Sequence, residues 1–133
     1  MKVFLDSSFI IAYVIEIDDN YKSALKLEDE KIFDNECYIS NLIINEIVTV
    51  IGNKINLDLA LNTYCAIKDN CIIINEYDTS NFNDNVMNMY KKYNTKLSFT
   101  DCAIIEIMKK NNINNLVSFD KSFDRVEEII RIY

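Results

Sequence analysis

The chain has 133 residues, half of them hydrophobic, and carries a net charge of −7 with no histidine, one glycine and no proline. That length predicts a single domain over residues 1–133, able to bury roughly two thirds of its unfolded surface, and the composition excludes a disordered chain. No apolar run nears the roughly 20 residues that span a bilayer, Asp6 interrupts what would be the apolar part of a signal peptide, and the acidic balance excludes a broad basic surface for nucleic acid.

Taken in order, the chain opens on a short apolar strand over residues 2–5 that stops at Asp6 and leads into a helix over 8–16. A second helix over 20–30 follows the turn Asp18-Asp19-Asn20, in a region crowded with solvated acids. Asn is expected to make most turns, since it enters the left-handed region at little cost. A strand over 37–40 ends at a capping Ser40, and a helix over 41–53 has Gly52 as its expected stop. The next helix, 57–68, places Leu57, Ala60, Leu61, Tyr64 and Cys65 on one core-facing stripe. Residues 71–74 read as a buried strand from their β-branched run. Asp78-Thr79-Ser80 is expected to cap a helix to residue 93, and Ser98 opens another to residue 110. A strand over 116–119 ends at Asp120, and 129–133 reads as a last edge strand. Strands alternating with helices at this spacing predict a parallel α/β sheet covered on both faces. Cys37, Cys65, Cys71 and Cys102 form no C-x-x-C pair, which argues against a zinc site and for reduced, buried thiols.

Four acids carry the chemistry, and each has an ordinary structural role beside it. Asp6 ends the first strand, where the carboxyl edge of a parallel sheet lines a ligand crevice, and it also fits a helix N-cap. Glu46 has Leu42, Ile43, Thr49 and Val50 as helical neighbours, so it projects from a mainly apolar face or snorkels to water. Asp101 stands three residues after Ser98, as in a capping box. Asp120 repeats the relation of Asp6 to its strand, and Asp124 follows four residues later; both also suit turns. Two like charges about 4 Å apart repel by roughly 4 kcal/mol at an effective dielectric near 20. Four such groups around one crevice call for a hard divalent cation, Mg²⁺ or Mn²⁺, which suits phosphodiester hydrolysis.

The segments Val3-Phe4-Leu5-Asp6-Ser7-Ser8, Ile43-Ile44-Asn45-Glu46-Ile47, Leu97-Ser98-Phe99-Thr100-Asp101-Cys102-Ala103 and Leu116-Val117-Ser118-Phe119-Asp120 resemble, in order and spacing, a PIN domain. The likeness is to the small VapC-type toxins of toxin–antitoxin pairs and covers essentially the whole chain. It implies a Rossmann-like three-layer α/β/α fold with a central, mainly parallel sheet of four to five strands. It implies a Mg²⁺- or Mn²⁺-dependent endoribonuclease whose acidic quartet is Asp6, Glu46, Asp101 and Asp120. Asp6 and Asp101 match the family's most regular metal ligands, and Glu46 and Asp120 match acids that complete the cage or orient the water. Ser7 and Ser118 match small hydroxyl positions beside the acids, with Asp124 a secondary candidate outside the family pattern. A cognate antitoxin, an RNA substrate and a homodimer follow from the same likeness, while the lack of a signal-peptide pattern and of an apolar span leads us to expect a cytoplasmic location and no membrane association.

Two departures stand out. Ile104-Ile105-Glu106-Ile107 replaces the more alanine-rich helix common in the family, and the net charge is acidic for an RNA enzyme. Lys96, Lys121 and Arg125 flank the expected site as possible phosphate contacts or plain solvated surface. A haloacid-dehalogenase-type phosphatase wants an aspartate where Ser8 stands, and a phosphorylation receiver wants an acidic pair that Ser7 and Ser8 do not supply. A non-toxin PIN-like nuclease, or an inactive binding domain whose acids are caps, is the remaining alternative.

Overall fold

The computed structural model describes residues 1–133 and contains five strands: β1 (Lys2–Leu5), β2 (Glu36–Ser40), β3 (Ile72–Ile74), β4 (Asn115–Val117) and β5 (Ile130–Ile132). All pair in parallel, in the order β3-β2-β1-β4-β5. Strand β1 is the centre. Its Val3, Phe4 and Leu5 are fully buried, as a strand covered on both faces must be. The chain builds outward from β1 to β3, then returns to the other side of β1 for β4 and β5. The direction reverses between β1 and β4, and there the carboxyl ends of a parallel sheet open a crevice.

Six α-helices cover the sheet: α1 (Ser7–Val14), α2 (Tyr21–Asp29), α3 (Asn41–Lys54), α4 (Leu57–Asn70), α5 (Phe82–Lys92) and α6 (Phe99–Lys110). Helices α1 to α4 pack on one another, and α5 packs on α6. Right-handed crossovers that run in opposite directions from β1 put these two sets on opposite faces. The three-layer arrangement and the parallel sheet agree with the sequence expectation. Helix α6 is the most deeply set, with every residue from Cys102 to Met108 buried.

Several local expectations are corrected. Helix α3 passes through Gly52 and ends at Lys54. A Cβ at Gly52 would meet only Ala60 Cβ at 3.8 Å, so the glycine is an interior helix residue and stops nothing. Strand β3 is an edge strand, not a buried one, and leaves Ile72 46% exposed, because only β2 pairs with it. Helix α4 turns Ala60, Thr63 and Ile67 inward. Of the predicted stripe, Leu57, Leu61 and Tyr64 lie outward and Cys65 is exposed. Apolar residues lie on both sides of that helix, and packing buries the face that carries Ala60, Thr63 and Ile67. Helix α5 begins after Asn81, held at φ 61°, while Asp78 closes a 3₁₀ turn. The Asn expectation holds at Asn81, Asn94 and Asn112, all with positive φ, and fails at Asn20, which keeps φ −98° while the Asp18 side chain accepts its N–H at 2.8 Å.

Candidate active site

A hollow of about 710 Å³ opens over the crevice between β1 and β4. Asp6, Glu46, Asp101 and Asp120 all line it, with Ser7, Ser8, Asn45 and Thr100 among the polar groups and no Lys or Arg. Each acid arrives on a different element. Asp6 directly follows β1 and its N–H donates to Val117 O at 3.0 Å, continuing the ladder with β4. Glu46 projects from α3, Asp101 from the first turn of α6, and Asp120 from the loop after β4.

Hydroxyls fix the carboxylates. Ser118 Oγ donates to Asp6 Oδ2 at 2.6 Å and Ser8 Oγ donates to the same oxygen at 2.8 Å. Ser118 Oγ also accepts the Asp120 N–H at 3.0 Å, so one buried hydroxyl ties Asp6 to the backbone of Asp120. Ser8 Oγ accepts the Phe119 N–H at 3.0 Å. Ser7 Oγ donates to Glu46 Oε2 at 2.9 Å. Asp101 completes the predicted capping box: its N–H donates to Ser98 Oγ at 3.0 Å and its Oδ2 accepts the Ser98 N–H at 3.1 Å. The cap sets the rotamer that aims Asp101 at the hollow, so the structural and functional readings of this residue are compatible. The start of α3 is held from outside. Glu76, buried, accepts the Leu42 N–H on Oε2 at 3.2 Å, one helical turn before Glu46.

The electrostatics follow from burial and from the neighbours. Burial pushes the Asp6 carboxyl above its ordinary range; bonds from Ser118, Ser8 and the Ser7 backbone pull it back, and the Glu46 charge raises it further. Burial likewise raises Asp101, the Ser98 bonds oppose it, and the charges of Asp120 and Asp6 add to the rise. Repulsion among acids without an internal cation fits a hard divalent ion with oxygen ligands. No three acidic side chains close on one point tightly enough to enclose an ion alone. An octahedral ion that keeps several waters and takes only one or two carboxylates fits that spacing.

The candidates divide. Asp6, Ser7, Glu46, Asp101 and Asp120 share the hollow, and Ser118 lies beneath it through its bond to Asp6. Asp124 stands apart. Its carboxylate forms a two-pronged pair with Arg131, Nε to Oδ1 at 2.7 Å and Nη2 to Oδ2 at 3.0 Å. Glu46 is exposed at the rim rather than set in an apolar face, because Asn45 and Thr49 flank it. Sequence reasoning passed over Ser8, whose position two residues after Asp6 was the available signal. It also passed over Arg131, which donates to Ser118 O at 3.1 Å; no local pattern announces a contact across 13 positions.

The fold and the hollow define an α/β protein with an acidic site at the switch point of a parallel sheet. A family model described as PIN domain matches residues 3–129, and the chain belongs to that family. Comparison with curated proteins finds no significant match. Among solved structures the fold is similar to that of Mycobacterium tuberculosis VapC20, a Sarcin-Ricin loop cleaving toxin, with TM-score 0.80, 20% identity, and 94% and 95% of the two chains covered. It is also similar to a chain of VapBC2 from Rickettsia felis bound to a promoter DNA fragment, with TM-score 0.72, 16% identity and coverage of 99% and 98%. A third is VapBC-1 from nontypeable Haemophilus influenzae, with TM-score 0.73, 14% identity and coverage of 99% and 97%.

Proposed function

We propose that this chain is a divalent-metal-dependent endoribonuclease and the toxin of a toxin–antitoxin pair. The observation that carries the reading is the meeting of Asp6, Glu46, Asp101 and Asp120 in one hollow that has no basic side chain. Asp6 and Asp101 would hold Mg²⁺ or Mn²⁺, and Glu46 and Asp120 would complete the shell through water. When bound, such an ion supplies a nucleophile at neutral pH and stabilises charge on the attacking and leaving oxygens.

The chain's own residues supply the positioning. Ser118 and Ser8 saturate Asp6 Oδ2, which fixes the plane of that carboxylate. The Ser98 cap does the same for Asp101. Ser7 occupies Glu46 Oε2, and Glu46 Oε1 is then the acceptor for a proton of the attacking water. Because Asp6 and Asp101 hold protons more readily than ordinary carboxyls, ion binding displaces protons and strengthens as pH rises.

The VapBC likenesses support a cognate antitoxin as partner, and a homodimer in the cytoplasm completes the reading. No helix is long and apolar enough to cross a membrane. The test is cleavage of single-stranded RNA with Mn²⁺ or Mg²⁺. Cleavage abolished by chelation, by Asp6→Asn and by Asp101→Asn supports the assignment; cleavage that survives both substitutions contradicts it. The cap-only reading, favoured by the Ser98–Asp101 box, predicts no cleavage and no ion binding.

A further inference from the structure

The geometry points to a second element of substrate binding: the hollow lined by Lys92, Tyr93, Asn94, Lys96 and Arg125 holds the phosphodiester backbone of single-stranded RNA leading to the acidic site. This rests on the nuclease reading and names the path the substrate takes. With a net charge of −7, the field of the whole molecule repels RNA, so affinity must come from a local concentration of cations. This hollow is such a place. Lys92, Lys96 and Arg125 are exposed, and none is paired with a carboxylate; the ion pairs of the chain are Lys26–Glu30 and Arg131–Asp124. Most cations of the chain are likewise unpaired; what sets these three apart is that they line one hollow.

The segments that line this hollow run on into those that line the acidic site. Lys96 stands two residues before Ser98, which lines the acidic hollow. Arg125 ends the 3₁₀ turn Lys121–Arg125 that Asp120 caps, and five residues of 3₁₀ helix rise about 10 Å. Arg125 Nη1 donates to Lys96 O at 3.3 Å, which closes the two segments on each other. Lys92 Nζ lies 5.4 Å from the Tyr93 ring centroid. Cations tracking a backbone beside an aromatic face and an amide are what sequence-tolerant single-strand binding uses. Glu127 and Glu128 are near Tyr93, whose phenol burial and their charges push up, so the strand is expected to run on the Lys96–Arg125 side.

The test is fluorescence anisotropy of a labelled single-stranded RNA of about 12 nucleotides, in chelator, over a salt series. Wild type is compared with Lys92→Gln/Lys96→Gln/Arg125→Gln and with Lys22→Gln/Lys26→Gln/Lys110→Gln, which changes net charge equally elsewhere. The patch triple is expected to bind at least about tenfold more weakly, with a salt slope shallower by about 2, and the remote triple to stay near wild type. Equal losses in both triples, or none in the patch triple, overturn the inference. Should loss of the Arg125–Lys96 bond unfold the triple, the exposed double Lys92→Gln/Lys96→Gln is expected to flatten the slope by about 1.4. RNA binding unchanged while a co-expressed acidic partner protein is lost assigns the patch to protein and overturns the RNA role. Mn²⁺-dependent cleavage by wild type is measured alongside. Cleavage with a silent patch sinks this inference alone, whereas no binding and no cleavage by wild type sinks the nuclease reading with it.

Discussion

Ser118 Oγ lies 2.6 Å from Asp6 Oδ2, a hydrogen bond between residues 112 positions apart on adjacent parallel strand ends. The same hydroxyl accepts the Asp120 N–H, so it couples the two strand-end acids. Ser118→Ala is expected to leave the sheet intact, raise the Asp6 carboxyl further and cost about 1.5–3 kcal/mol, the usual range for a bond to a charged group. Ser118→Thr, which keeps the hydroxyl in a fully buried position, tests crowding instead. Denaturation of the metal-free protein checks the stability change, and cleavage rate checks the consequence for the site. An alanine variant as active and stable as wild type contradicts the coupling.

The sign of the pH dependence follows from Asp6 and Asp101. Both folded-state carboxyls titrate above the ordinary 3.8. The folded state therefore binds protons more tightly than the unfolded chain in that window. At neutral pH both groups destabilise the metal-free fold; the penalty is relieved as pH falls through the raised values toward 3.8. The Arg131-paired Asp124, held below 3.8, contributes in the opposite sense, and its contribution is lost only on further acidification. Metal-free protein is expected to gain stability from these two groups as pH is lowered from 7 toward 3.8, and Asp6→Asn to remove part of that gain. An Asp6→Asn variant whose melting changes with pH as the wild type's does, from pH 7 down toward 3.8, would refute the sign.

Mn²⁺ is expected to raise the melting temperature at pH 7, with stabilisation near 2.7 kcal/mol when the ion is 100-fold above its dissociation constant. The rise should shrink as pH is lowered toward 3.8, where protons compete with the ion for Asp6 and Asp101, and vanish in Asp6→Asn/Asp101→Asn. Scanning calorimetry with and without ion checks both dependences. An equal Mn²⁺ shift in the double variant would place the ion elsewhere.

Arg131 grips Asp124 with two nitrogens and Ser118 O with a third contact. It thereby pins the 3₁₀ turn that begins at Asp120. Arg131→Gln is expected to lower the cleavage rate about 10- to 100-fold through misplacement of Asp120. Arg131→Lys should not restore it, because an ammonium lacks the fork. Steady-state kinetics on both variants decides; full activity in either removes the positioning role.

Gly52→Ala is expected to stabilise the protein by about 0.5–1 kcal/mol. The residue sits inside α3, where alanine is the better helix former, and the added Cβ makes only an ordinary 3.8 Å contact with Ala60. A loss of stability in urea would show that α3 and α4 approach too closely for it.

What was legible in the sequence was the part written locally. The run Lys2 to Leu5 followed by Asp6 gave the central strand and its crevice residue, and Ser98-x-x-Asp101 gave the cap of α6. The alternation of elements gave the parallel sheet. Strand order was not written locally, so nothing in Ile72-Ile73-Ile74 marked it as an edge: a β-branched run looks the same in the middle of a sheet. The outward turn of Leu57, Leu61 and Tyr64 depended on how α4 packs on α3, and the grip of Arg131 on a contact made only after β5 joins the sheet. The left-handed turn at Asn112, in the asparagine cluster that follows α6, was easier to read than the helix stop assigned to Gly52.

The account stands most directly on an anomalous-scattering map from crystals soaked in Mn²⁺ at neutral pH. It predicts a peak inside the hollow, about 2.1 Å from carboxylate oxygens of Asp6 and Asp101, absent from Asp6→Asn crystals. A saturating soak that leaves the hollow without a peak, or an ion bound away from both aspartates, would contradict it.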